Sequence, residues 1–160
     1  MSTGVAQTIV GFARDEDGDH VALLDCGHRR HVRHRPPLSS YPWVLEESGR
    51  NARIGAALEC ARCLRREPPA SLAPYRQTAS FDETSLPGGL LRDHQTKAGV
   101  WARVCVTAGA LTLELAAPAG ARVTVTPDAP ALIPPTLRHA VRLDGPVRFH
   151  VEFLRPDATG

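Results

Sequence analysis

Apolar and polar positions alternate with period two in separate stretches of this chain. In the first part, residues 8–12 and His20–Leu24 read as strands. The acidic segment DEDGD at 15–19 lies between them and supplies a hairpin-type turn, with a glycine available for positive φ. In the second part, VWARVCVT at 100–107 alternates, Ala108-Gly109 interrupts, and 111–115 resumes the pattern, which predicts a hairpin. Ala121–Val125, Ala131–Ile133, 139–143 and 147–153 add short strands. They are punctuated by Gly120, Pro127-Asp128, Pro134-Pro135 and Asp144-Gly145-Pro146. Many short strands with closely spaced turns predict a mainly β chain, low in helix, with a sandwich or barrel in its second part.

Sequence character changes near residue 70. The proline- and alanine-rich segment REPPASLAP at 66–74 suits an extended connection. The expected division is a module at 1–68, a linker at 69–74 and a β-barrel at 75–160. About 70 residues is marginal for a self-supporting core, and domains of that size often add a metal or disulfides.

Composition narrows the class. A chain of 160 residues, 42% hydrophobic and 22% charged, is neither collagen-like nor wholly disordered. No run of about 18 apolar residues is present, so no membrane-spanning helix is expected. The first 15 residues lack a basic start followed by an apolar run, and the expected location is the cytoplasm. There, four cysteines are thiols or metal ligands rather than disulfides. The net charge of +2 is spread over both parts, so bulk charge gives no case for nucleic-acid binding.

The cysteines and histidines of the first part carry the strongest chemistry. Cys26-x-His28 and Cys60-x-x-Cys63 are two short-spaced ligand pairs, 34 residues apart. Zinc takes four thiolate or imidazole donors in a tetrahedron, and a short pair lets one turn present two of them. Two such pairs would staple a core-poor segment, so that metal binding becomes folding energy. His28 is the histidine closest to Cys26, His31 is the substitute ligand, and His34 is a neighbouring or solvated group. Three cysteines and one histidine fill the tetrahedron, which describes a structural rather than a catalytic metal. Arg29, Arg30, Arg33 and Arg35 form a basic run beside these histidines, able to meet phosphate or an acidic partner. Trp43 reads as a small-core anchor.

In the second part, a barrel mouth could gather His94, His139 and Glu152 as a two-histidine, one-carboxylate site for a second divalent metal. Arg103 could hold an anion. The alternation is only partly compatible. His139 shares a face with Val141 and Leu143, whereas Glu152 and His150 share the opposite face with Arg148. Glu152 would reach His139 only through a bulge or twist. Cys105 reads as a small buried residue.

Two family resemblances rest on these residues. LDCGHRRHVRHRPP, PWVL and GAALECARC resemble a small bacterial domain family of unknown function, over about residues 6–68. Its members share a CGH-x-x-HVRH-x-PP segment, a following tryptophan and a later C-x-x-C. Arg30 stands where glutamine is common. Residues 75–156 resemble the TehB/YeaR-like domain, a cupin-type barrel associated by name with tellurite resistance. The resemblance rests on the H-x-T-K-A-G-V-W segment from His94, the IPP-x-x-x-H segment ending at His139 and the closing V-E-F. It implies a cupin-like jelly-roll barrel that binds a metal or a small oxyanion. In the longer tellurite-resistance proteins this barrel accompanies an S-adenosylmethionine-dependent methyltransferase. This sequence has no G-x-G-x-x-G and no room for that doubly wound domain.

Three functions follow as expectations. The first is a two-module metal-binding protein, a zinc knuckle plus a barrel for a small molecule, oxyanion or metal, in the response to oxyanion stress. The second is a cupin-type metalloenzyme using the barrel site, so that enzymatic activity is an open question. The third is a zinc-dependent interaction module whose arginine run docks a protein or nucleic acid. An exposed sheet edge could also pair two copies into a homodimer.

Overall fold

A computed structural model describes residues 3–157. Among these residues ten strands form two antiparallel sheets. The first contains β1 (Val5–Arg14), β2 (His20–Leu24), β3 (Arg29–His31) and β4 (Ala57–Cys60), in the order β3-β2-β1-β4. Short helices α1 (Glu47–Arg53) and α2 (Ala61–Leu64) flank β4. The acidic turn closes the β1–β2 hairpin as its composition predicts, with Asp15 N–H donating to the Asp19 carbonyl.

The second sheet contains β5 (Leu72–Gln77), β6 (Phe81–Asp82), β7 (Trp101–Leu115), β8 (Ala121–Val125), β9 (Ala131–Ile133) and β10 (His139–Pro156). Its main path is β5-β10-β7-β8, with β6 on β10 and β9 on β7. The sheet curls into a half-barrel. Strand β5 begins at Leu72, so the chain enters this sheet within the segment read as linker.

The hairpin expected at Ala108-Gly109 does not form. β7 runs unbroken from Trp101 to Leu115 and pairs along its length with β10, which likewise joins two segments read as separate strands. The turn signals on the two strands face each other. Leu143 pairs with Leu111 and Val147 with Gly109, so Asp144, Gly145 and Pro146 bulge out opposite Ala110 alone. Gly109 has φ +78°, and a Cβ there would collide with the Pro146 carbonyl. Glycine is required for a bend between two long strands, not for a chain reversal.

One continuous core spans both sheets, from Val5, Ile9 and Leu24 to Trp101, Leu113 and Phe149. At the junction, the buried Trp101 indole N–H donates to the Cys26 carbonyl at 2.8 Å. The buried Gln7 amide donates to the Pro135 carbonyl at 2.9 Å. Gly27 lies so close to Pro156 and Pro69 that a Cβ would sit 2.9 Å from each ring. Among the described residues no helix is long and apolar enough to cross a membrane.

Candidate functional site

Cys26 and His28 flank Gly27 in the tight turn after β2, where Gly27 adopts φ +92°. Its N–H donates to the Leu24 carbonyl and the Leu24 N–H to that of His28. The turn points both side chains inward. Cys60 ends β4 and Cys63 sits in α2, one helical turn further on. Because β4 pairs with β1 and β1 with β2, the Cys26–His28 and Cys60–Cys63 pairs meet at one end of the first sheet. All four residues are buried.

The His28 Nδ1 lies 3.5 Å from Cys26 Sγ, 3.3 Å from Cys60 Sγ and 3.5 Å from Cys63 Sγ. Cys26 Sγ and Cys60 Sγ are 4.0 Å apart. A zinc ion with Zn–S of about 2.3 Å and Zn–N of about 2.0 Å gives tetrahedral edges of about 3.8 Å between sulfurs and about 3.5 Å between sulfur and nitrogen. The spacing and donor set therefore fit one zinc ion. Hydrogen bonding from Cys26 and Cys63 holds the Cys60 thiol far below the ordinary thiol range. The bond to Cys60 pushes Cys26 up to about 12, and Cys63 is raised by its bonds with Cys26 and Cys60. A divalent cation placed among these three buried sulfurs would favour their thiolate forms.

The surroundings tie this cluster to the half-barrel. The His28 ring packs edge-to-face against Trp101, with centroids 5.7 Å apart. Gln7 Nε2 lies 3.6 Å from Cys63 Sγ and also donates to Pro135. Sequence reading missed Gln7. Its signal is position: Val5, Gln7 and Ile9 form the buried row of β1, and a polar side chain in such a row needs a partner.

The other histidines of the first part have different partners. His31 faces Asp15 at 3.0 Å and is half exposed. His34 Nδ1 accepts from the Tyr41 N–H. The arginine run is largely internally paired. Arg33 contacts Asp19 at 2.8 Å and Asp15 at 3.5 Å, Arg35 contacts Asp19, and Arg30 donates to the Glu59 carbonyl. Trp43 packs on Phe12 and Tyr41 beneath the Arg53 guanidinium.

The concave face of the half-barrel holds a cavity of about 280 Å³. Ala102 and Val104 of β7, Ile133 of β9, and Val141, Phe149 and Val151 of β10 line it, together with Phe81 and Leu90. Among the described residues its lining includes no charged side chain; its polar groups come from Thr78, Thr96, His94 and His139. His94 and His139 exchange both main-chain hydrogen bonds at 2.8 Å, and their rings meet edge-on at 5.3 Å. His139 Nδ1–H donates to the Leu137 carbonyl at 2.9 Å, and burial lowers the pKa of this imidazole.

Glu152 is not brought to this pair. The bulges in β10 leave its side-chain alternation intact, so Val151 lines the cavity and Glu152 lies on the opposite, convex face. There it meets Arg103 at 2.9 Å, Cys105 Sγ at 3.7 Å and His150 Nε2 at 3.7 Å. Arg103 is thus ion-paired with Glu152 on the convex face, outside the cavity lining. Cys105 is only partly buried.

Two family models match separate parts of the chain. Residues 10–67 match the family described as a protein of unknown function (DUF3565), and residues 76–151 match the TehB-like domain. No curated protein matches the chain. Among solved structures, the chain is similar to TehB from Haemophilus influenzae, with 24% identity and a TM-score of 0.49, over 54% of this chain and 32% of that one. It is also similar to a protein from E. coli strain K12, with 20% identity and a TM-score of 0.51, over 56% of this chain and 95% of that one. The chain spans about a third of the length of TehB. The likeness to the E. coli protein is one of fold.

Proposed function

We propose that this is a cytoplasmic metal- and ligand-binding protein. One zinc ion held by Cys26, His28, Cys60 and Cys63 fixes the first half and seats it on the half-barrel, whose cavity takes a small uncharged molecule. The buried cluster of three sulfurs and one imidazole nitrogen at tetrahedral spacing carries this reading. Four protein donors leave no position for water, so the zinc is structural.

The cavity supports the second clause. An apolar lining with two histidines and two threonines suits a small, mostly apolar molecule that makes one or two hydrogen bonds. Without a lining cation it suits an oxyanion poorly. A role in the response to tellurite or another oxyanion rests on the resemblance to TehB, with an apolar compound rather than the oxyanion as the bound species. The inward-facing His94 and His139 support the cupin-type reading of the barrel. The metalloenzyme reading lacks its carboxylate, because Glu152 faces away. Pairing of Arg33 and Arg35 with acidic side chains speaks against nucleic acid as the partner.

Metal analysis by mass spectrometry of the untagged full chain tests the reading. After treatment with a mild chelator, one zinc per chain should remain, and Cys60→Ser should remove it. No retained zinc in the wild type would overturn it.

A further inference from the structure

We propose that Cys105, His150 and Glu152 form a second, open site for a zinc-class divalent cation on the convex face of the half-barrel. Strand register builds this site. Cys105 of β7 pairs with His150 of β10, and Glu152 pairs with Arg103. Alternation then places all four side chains together on the face opposite the cavity.

The donor spacing is that of a coordination shell. Glu152 Oε1 lies 3.7 Å from both Cys105 Sγ and His150 Nε2, and the three donor atoms all lie within 4.8 Å of one another. Zinc with thiolate, imidazole and carboxylate ligands has edges of about 3.3–3.7 Å, so small side-chain rotations close the shell. Arg103 Nη1 holds the other carboxylate oxygen, Oε2, at 2.9 Å. It thereby aims Oε1 at the sulfur and the imidazole, as groups bonded to metal ligands commonly do.

This site differs in kind from the buried cluster. The His150 and Glu152 side chains are 19% and 23% exposed, so an ion can enter from solvent. Three protein donors leave one tetrahedral position for water or an exchangeable ligand. A mixed sulfur, nitrogen and oxygen set selects zinc-class ions over magnesium or calcium. Arg103 and Glu152 offset each other, and a thiolate from Cys105 would supply a negative charge toward the cation.

Zinc titration of the metal-free full chain against a chromophoric chelator tests the proposal. The wild type should bind two equivalents, the second more weakly. Cys105→Ser and, independently, His150→Ala should each leave one. In a parallel Co²⁺ titration the second equivalent should add a thiolate-to-metal absorption that Cys105→Ser abolishes, leaving the first equivalent's spectrum unchanged. Cys60→Ser should remove the first equivalent and spare the second, which separates this site from the buried one. A single equivalent in the wild type, or a second that survives both convex-face variants, would overturn the proposal. Circular dichroism of each variant reports its fold. If Cys105→Ser unfolds, His150→Ala decides the result.

Discussion

Trp101, the first residue of β7, donates its indole N–H to the main-chain carbonyl of Cys26 at 2.8 Å. A carbonyl in the Cys26–His28 turn is thus paired with a side chain of the other sheet, and the same indole packs against the His28 ring. Trp101→Phe removes the donor and leaves space around a fully buried position. The substitution should cost about 2–4 kcal/mol. Denaturant unfolding of the zinc-loaded chain measures it. A loss under about 0.5 kcal/mol would show that the bond ties nothing together.

Gln7 spans the same junction, from Cys63 Sγ to the Pro135 carbonyl. Gln7→Leu keeps the side chain's bulk and removes both contacts. Zinc affinity at the buried cluster should fall about 10- to 100-fold, the usual effect of losing a group that orients a ligand. Competition with a chelator of known affinity gives the value. Unchanged affinity would assign Gln7 to docking alone.

Gly109 and Gly120 both have positive φ but differ in surroundings. A Cβ at Gly109 meets the Pro146 carbonyl, whereas one at Gly120 meets nothing within 4 Å. Gly120→Ala should cost about 1–2 kcal/mol of backbone strain, and Gly109→Ala at least about 1 kcal/mol more. Equal losses by thermal or chemical unfolding would mean that the β7–β10 bend is looser than described.

His139 should make stability depend on pH. Burial lowers its pKa in the folded state, so the fold favours the neutral ring. The unfolded chain takes up a proton near the ordinary value of about 6.5. Stability from this group is therefore intact above that pH and is lost as pH falls below it. His139→Asn lacks the titration and can retain a donor toward the Leu137 carbonyl. The stability difference between wild type and variant should shrink from pH 8 to pH 5. A constant difference would contradict the burial argument.

Much of this arrangement was legible in residues 26–63. Short-spaced cysteine and histidine pairs announce a metal cluster because their chemistry is local. Strand alternation was similarly informative: it placed Glu152 on the face opposite His139, where it lies. Gly109 was misleading because a glycine at a bend and one at a hairpin give the same signal, and only the facing bulge at Asp144–Pro146 separates them. The junction was invisible for another reason. It depends on single groups, the Trp101 indole, the Gln7 amide and two carbonyls, that follow no period. The Cys105, His150 and Glu152 group needed the β7–β10 register, which no single strand carries.

In the proposed arrangement one zinc ion with three sulfur ligands and one nitrogen ligand holds the first half against the half-barrel. X-ray absorption at the zinc edge, on full chain carrying one tightly held equivalent, tests it most directly. The predicted spectrum contains three Zn–S distances of about 2.3 Å and one Zn–N distance of about 2.0 Å. A shell of nitrogen and oxygen alone, or one with a single sulfur, would contradict the account.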